Sequence, residues 1–271
     1  MKTWKNTSTL DGYIDDLVTL VPPEEAEIAL IGGKPIDLDS MPNLRGILKC
    51  GIGKDNLPEE QAANRGIEAR IASRETSDII FEETANFACK LIFDLAYAAA
   101  GDLEGWQKNQ RRALLEQRLL VVGHGNIGRR VSHKMGAFMA VDTYDPMANA
   151  PEELEPLIRA ADFVTLHMPL IPSTRGFIDA EKLSWLKDGA CLVNTARGPV
   201  VEEASLLNEI QTGRLRAAFD VFWQEPYHGP LREFHPDRFL MTPHISSTCT
   251  AFLEGLRKDL QSLINDLKAK Q

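Results

Sequence analysis

Four apolar residues, Leu119-Leu120-Val121-Val122, run directly into Gly123-His124-Gly125-Asn126-Ile127-Gly128 and then into an amphipathic stretch. A short apolar run ended by a turn reads as a strand buried on both faces, and such strands belong to parallel sheets covered by helices. Each glycine has its own task. Gly123 permits the tight turn, Gly125 lets the backbone approach a pyrophosphate, and Gly128 lets helix and strand pack closely. The helix start then offers free N–H groups and a positive dipole end to phosphates. The segment therefore specifies a βαβ unit with an anion site at the end of its first strand.

Glycines at this spacing also occur in loops that hold nothing, so a further residue is needed. Asp145 supplies it. It ends the next expected strand, about 20 residues on, where an acid accepts hydrogen bonds from the adenosine ribose hydroxyls and repels a 2′-phosphate. NAD is thus expected in preference to NADP. Asp142, on the same strand, suits a strand interior better than a ribose contact.

The rest of the chain repeats the alternation of short apolar and longer amphipathic runs, the pattern of an α/β fold with parallel sheets. Early strands are expected at Ile28 to Ile31, Gly46 to Cys50 and Ile67 to Ile71, with no clear apolar strand before them. A long helix should start at Ser77, because Phe81, Ala85, Ala88, Leu91, Ile92 and Leu95 recur at helical spacing. The polar stretch Gly101 to Gln117 reads as the domain junction. Later strands are expected at Leu119 to Val122, Ala140 to Tyr144, Phe163 to His167, Cys191 to Asn194, Ala217 to Val221 and Phe239 to Thr242. Helices are expected over Ile127 to Met139, Glu152 to Ala161, Glu202 to Thr212 and Thr250 to Lys268. No repeat of fixed period argues for a solenoid.

Charge and composition narrow the partners. The net charge of -9 disfavours nucleic acid, whose phosphates need clustered Lys and Arg. No apolar run approaches the roughly 20 residues of a membrane helix, and the polar N-terminus does not read as a signal peptide. Cys50, Cys89, Cys191 and Cys249 are scattered without a CxxC pair, as expected of reduced thiols in a cytoplasmic protein.

Three segments at the ends of expected strands carry reactive side chains: Val193-Asn194-Thr195-Ala196-Arg197-Gly198, Phe219-Asp220-Val221-Phe222-Trp223-Gln224-Glu225-Pro226 and Met241-Thr242-Pro243-His244-Ile245-Ser246-Ser247. In open parallel sheets that edge is where ligands bind. Reduction of a 2-keto acid needs a cation for the carboxylate and carbonyl, and an acid for the forming alkoxide. Arg197 supplies a permanent charge in a planar fork. His244 supplies the proton, and the carboxylate of Glu225 favours and orients its protonated form.

In this order after the glycine motif, the NTARG, DVFxxEP and TPHIS segments resemble the D-isomer-specific 2-hydroxyacid dehydrogenase family. Cys50-Gly51-Ile52-Gly53-Lys54-Asp55-Asn56 is similar to that family's substrate loop, and the stretch from Thr165 to Gly176 is similar to a further cofactor segment. The likeness covers nearly all of the chain beyond about residue 45. It implies two Rossmann-like domains with parallel sheets and an active site in the cleft between them. The substrate domain would comprise residues 1–97 plus about 250–271, and the dinucleotide domain residues 98–249. It implies that Arg197 binds substrate, that His244 is the acid/base and that Glu225 is its partner. Gly123, Gly125, Asn126, Ile127, Gly128, Asp145, His167, Pro169, Thr174, Thr195 and Asp220 would hold NAD, with Asp220 at the nicotinamide carboxamide. Backbone amides around Ile52 and Gly53 would hold the substrate carboxylate. A homodimer joined through the cofactor domains is implied as well.

The sequence also departs from the family's pattern. It is shorter than typical members, its first domain reads as trimmed, and the 101–117 stretch is short where relatives carry a dimer arm. These features bear on substrate identity and dimer geometry. His124, His228, His235, Lys34 and Lys54 read as surface residues, no metal site is expected, Cys50 reads as a structural thiol, and Phe222 and Trp223 read as packing. A rival is a ligand-sensing, partner-binding protein of the corepressor type with the same fold, against which the short length speaks. A formate dehydrogenase relative would carry Gln where this chain has Glu225. The particular 2-keto acid stays open.

Overall fold

The structure, a computed structural model, describes residues 1–98, 101–102 and 104–270. The chain divides into two compact units, Met1–Glu83 with Ser247–Gln271, and Thr84–Ser246. Its first half contains β1 (Lys2–Lys5), β2 (Thr19–Leu20), β3 (Ile28–Ile31), β4 (Gly46–Lys49), α1 (Glu59–Asn64), β5 (Glu68–Arg70), α2 (Arg74–Tyr97) and the short hairpin β6 (Gly101–Asp102) and β7 (Gln107–Lys108). Then come β8 (Arg118–Val122), α3 (Asn126–Met135), β9 (Ala140–Tyr144), α4 (Leu154–Ala160), β10 (Phe163–Leu166), α5 (Ala180–Trp185) and β11 (Cys191–Asn194). The chain ends with α6 (Glu203–Gln211), β12 (Arg216–Phe219), β13 (Phe239–Met241) and α7 (Thr250–Ala269). No described helix is long and apolar enough to cross a membrane.

The second unit is a six-stranded parallel sheet in the order β13-β12-β11-β10-β8-β9. Side chains alternate across each strand. Leu119 and Val121 thus join one core with Ala85, Ala88, Leu91, Ile92 and Leu95 of α2 and Val131 and Met135 of α3. Leu120 and Val122 join the opposite core with Leu154 and Ile158 of α4, Leu183 of α5 and Leu206 and Ile210 of α6. Apolar residues on both faces explain why these strands read as uninterrupted hydrophobic runs. The strand order reverses between β8 and β10, the switch point where open α/β sheets bind ligands.

The first unit is a five-stranded parallel sheet, β2-β1-β3-β4-β5, again doubly wound. Ile28, Leu30 and Leu48 pack with Leu10, Ile14 and the buried stripe of α7 from Phe252 to Leu267. Ala29, Ile31 and Ile47 face Leu38, Met41, Leu57 and Ala62 on the other side. α7 can lie close to β4 because Gly46 has no side chain; a Cβ there would sit 2.8 Å from Leu267 Cδ1.

Two expectations need correction. A first strand exists, β1, and it pairs with both β2 and β3 although its sequence is Lys-Thr-Trp-Lys. Its signal is hidden because only Thr3 is buried, while Lys2 and Lys5 reach out to Glu25 and Asp11. The division between units falls inside α2 and not in the polar 101–117 stretch. One helix contributes Ile80 to one core and Ala85 to Leu95 to another, so no linker composition marks the boundary.

Candidate active site

β8 delivers the chain to Gly123, which turns with φ +93°. A Cβ at Gly123 would lie 2.7 Å from the His167 carbonyl carbon, so the glycine lets the loops after β8 and β10 touch at the switch point. A Cβ at Gly128 would lie 1.9 Å from Gly123 O, which makes glycine obligatory where α3 crosses the loop. At Gly125 nothing among the described residues stands within 4 Å of the missing Cβ. That open face beside the first turn of α3, with Asn126 exposed and Ile127 half-buried, is the space a pyrophosphate needs.

Asp145 follows β9 directly. Its Oδ2 accepts the His124 N–H at 2.9 Å and its Oδ1 accepts the Met147 N–H at 3.0 Å. The carboxylate thus holds the glycine loop and keeps lone pairs for further donors. Asp142 is engaged elsewhere, in an ion pair with Arg118 at 2.8 Å. His124, half-buried, meets Asp145 through its backbone and not through its ring.

Two buried polar atoms lack a partner among the described residues, His167 Nδ1 and Thr195 Oγ1. They follow β10 and β11, and the preceding residues Leu166 and Asn194 are paired in register. Burial pushes the His167 pKa down to about 3, so the ring is neutral and offers an uncharged donor or acceptor. Its Nε2 meets Thr165 Oγ1 at 3.0 Å. Buried groups left unsatisfied by the protein are costly unless a ligand meets them. Together with the open face at Gly125 and the Asp145 carboxylate, they fit a dinucleotide along the sheet edge. Thr174 uses its hydroxyl locally, donating to Pro169 O at 2.6 Å and accepting the Ile171 N–H at 2.9 Å. It shapes the loop in which Pro169 is exposed.

The reactive trio lies at the ends of β11, β12 and β13. Asn194 folds the turn after β11: its Nδ2 donates to Arg197 O and its Oδ1 accepts the Ala196 N–H, both at 2.9 Å. Gly198 follows Arg197, and a Cβ there would lie 2.1 Å from the Phe222 carbonyl carbon. The missing side chain lets the Arg197 turn rest on the backbone that leads to Glu225.

Glu225 is gripped on both oxygens. Oε1 accepts the Phe222 N–H at 3.1 Å, and Oε2 lies 2.8 Å from His244 Nδ1. Burial alone raises the Glu225 pKa, but the hydrogen bond and charge of His244, the Phe222 N–H and the Arg197 charge outweigh it and hold the carboxyl below its ordinary value. An ionised carboxylate can only accept, so Nδ1 carries the proton in this bond. His244 Nε2 makes no hydrogen bond among the described residues.

His244 itself has φ +55°, a left-handed backbone uncommon outside glycine. Fully buried Asp220 sustains it. Asp220 Oδ1 accepts from Thr242 Oγ1 at 2.6 Å and from the Ile245 N–H at 2.9 Å, and Oδ2 accepts the Ser246 N–H at 2.9 Å. Asp220, expected at the cofactor, is therefore also the staple of the His244 loop. Sequence reasoning missed this role, and those of Thr242, Asn194 and Gly198. A buried acid or amide ending an apolar strand before a short reactive loop is the signal that would have found them.

The first unit holds Cys50 to Asp55 after β4. Burial pushes the Cys50 thiol up to about 12, and Lys54 pairs with Glu59 at 2.8 Å. The backbone N–H groups of Ile52 and Gly53 meet no acceptor among the described residues. Phe222 and Trp223 pack in the core of the second unit, with Trp223 Nε1 donating to Val201 O at 2.7 Å.

A family model described as "D-isomer specific 2-hydroxyacid dehydrogenase, NAD binding domain" matches residues 94–246. Hydroxypyruvate reductase of Thermotoga maritima is 31% identical over 249 residues, covering 86% of this chain and 81% of that protein. D-3-phosphoglycerate dehydrogenase of Mycobacterium tuberculosis is 31% identical over 261 residues, covering 88% of this chain; the chain spans about half, 48%, of that longer relative. In fold, the chain is similar to the crystal structure of D-lactate dehydrogenase from Aquifex aeolicus complexed with NAD and lactic acid. That likeness has a TM-score of 0.80 at 23% identity and covers 100% of this chain and 96% of the other.

Proposed function

The chain belongs to the D-isomer specific 2-hydroxyacid dehydrogenases, a family with an NAD-binding domain, and on that premise we propose that it reduces a small 2-keto acid to the D-2-hydroxy acid and catalyses the reverse. The observation that carries the reading is the His244–Glu225 pair at 2.8 Å beside the Arg197 turn. NADH, when bound, supplies the hydride that C2 accepts. Gly123, Gly125, Asn126, Ile127 and Gly128 would hold the pyrophosphate. Asp145 would take the adenosine ribose and disfavour a 2′-phosphate, and His167, Pro169, Thr174, Thr195 and Asp220 would complete the cofactor site.

Arg197 binds the substrate carboxylate and carbonyl and stabilises the negative charge that grows on the C2 oxygen. His244 donates its Nε2 proton to that oxygen, and in the oxidative direction takes it back. Glu225 holds Nδ1 and so fixes the direction in which Nε2 points. The free amides of Ile52 and Gly53 hold the carboxylate from the substrate loop. Hydroxypyruvate, glyoxylate and lactate appear in relatives' names, and small acids of that size are the substrates we assign. Four free cysteines fit a reducing cytoplasm, and we assign a homodimer joined through the cofactor domains.

A panel of 2-keto acids tested by loss of NADH absorbance checks the reading. Turnover of a small 2-keto acid supports it. NADH binding without turnover of any would favour instead a sensing protein of the same fold.

A further inference from the structure

The C-terminal edge of the first unit's sheet carries a buried cation that the hydride-transfer scheme does not use. Lys49, the last residue of β4, is only 5% exposed. Its Nζ donates to Gly32 O and to Asn56 Oδ1, the latter at 2.5 Å. Asn56 Nδ2 donates in turn to Gly32 O at 2.8 Å and to Lys34 O at 2.7 Å. The Gly32 N–H is held by Asn6 Oδ1 at 2.8 Å, and a Cβ on Gly32 would lie 2.8 Å from Thr7 Cβ. The loops after β3 and β4 therefore converge on one ammonium and one carbonyl, and the loop after β1 holds the amide of the same glycine. They do so where the strand order reverses between β1 and β3, the edge at which doubly wound sheets bind ligands.

A lysine is seldom buried unless its hydrogens are satisfied, so placing one here is a constraint and not a convenience. What it constrains is short. Lys49 and Asn56 are the two ends of the segment that contains Cys50 to Asp55, and the Nζ-to-Oδ1 bond closes it. Inside the closed segment Gly51 O accepts the Ala72 N–H at 3.3 Å, while the N–H groups of Ile52 and Gly53 remain available. A charge-assisted bond between the ends of a short loop fixes its amides before a ligand arrives, which lowers the ordering cost of binding.

We infer that Lys49 is the positioning residue of this loop, holding the Ile52 and Gly53 amides in the arrangement that receives the keto-acid carboxylate. The inference rests on reading those amides as carboxylate donors. Lys49 acts through the loop and does not touch the reacting atoms. Its loss weakens substrate binding and leaves the His244 proton step and the cofactor site alone.

Lys49→Met keeps most of the stem and removes the ammonium. KM for a keto acid that the wild type reduces should rise about tenfold or more, with kcat within about threefold and NADH affinity unchanged. Asn56→Ala cuts the same link from the other side and should give the same split; it carries the test if Lys49→Met does not fold. The double variant should be little worse than the poorer single one, because the two residues share one bond. Amide exchange gives a readout independent of turnover. Residues 50–57 should exchange about tenfold faster or more in Lys49→Met, with residues 118–130 unchanged. Unchanged loop exchange, faster exchange throughout the chain, or an unchanged KM for a turned-over keto acid would each overturn the positioning role. If the wild type reduces no keto acid, the reading of the amides fails by itself and loop exchange still decides Lys49.

Discussion

His244 Nδ1 lies 2.8 Å from Glu225 Oε2, and the other oxygen of that carboxylate accepts the Phe222 N–H at 3.1 Å. The histidine is therefore aimed by a carboxylate that is itself aimed by backbone. Asp220 fixes the other side, since its three accepted bonds come from residues that flank His244. The ring has one free nitrogen for substrate and little freedom in where it points.

Replacing the ring tests its role separately from the cofactor site. His244→Ala should lower kcat by roughly 10²- to 10⁴-fold, the range for a lost general acid. NADH affinity, followed by fluorescence titration, should stay within about threefold. An equal loss of both would assign His244 to cofactor binding or folding.

The Glu225 pKa is held below the ordinary carboxylate value, with the raising effect of burial outweighed by His244, the Phe222 N–H and Arg197. A depressed carboxyl stabilises the fold above its unfolded pKa, and this contribution is lost only as the pH falls through the lower folded value. Glu225 therefore stays ionised throughout the neutral range. Glu225→Gln removes the charged acceptor that holds the Nδ1 proton and aims the ring, so kcat for keto-acid reduction should fall by about tenfold or more while NADH affinity stays within about threefold. An unchanged kcat would leave Glu225 no part in the proton step.

Arg197→Lys keeps a charge but not a planar fork with its paired donors. Turnover efficiency for the keto acid should fall by roughly 10²- to 10³-fold, with NADH affinity retained. Wild-type efficiency in this variant would mean that any cation suffices and that the fork geometry is irrelevant.

Gly198→Ala places a carbon 2.1 Å from the Phe222 carbonyl carbon, closer than any real contact. The Arg197 turn and the Glu225 loop must separate. Overpacking of this kind costs about 1–3 kcal/mol, visible as a lower urea midpoint. Activity should fall further than the folded fraction does. A variant as stable and active as wild type would show that the two loops need not touch.

Much of this was legible because the Arg197 and Glu225 segments follow apolar strands buried on both faces. Ile28–Ile31, Ala140–Tyr144 and Cys191–Asn194 are strands over the residues their patterns predict, and α7 follows its stripe from Phe252 to Leu267. β1 escaped because a lysine-bearing strand can keep its charges outside while only Thr3 is buried. The short helices α1 and α5 are too brief to show a period. At the site, sequence pointed to His244, Glu225 and Arg197 through their chemistry. Asp220 and Asn194 shape loops by accepting and donating to backbone, and that work depends on distances no spacing reveals. Lys49 was invisible for the same reason, since a lysine in sequence defaults to the surface.

Hydride transfer itself can be followed directly. With NADH deuterated at the transferred position and a keto acid that the protein turns over, chiral chromatography with mass spectrometry of the product should find one deuterium at C2 of the D-2-hydroxy acid, and correspondingly less labelled product in the slower His244→Ala reaction run for the same time. Oxidation of NADH with no label at C2, or label in the L-isomer, would contradict the account.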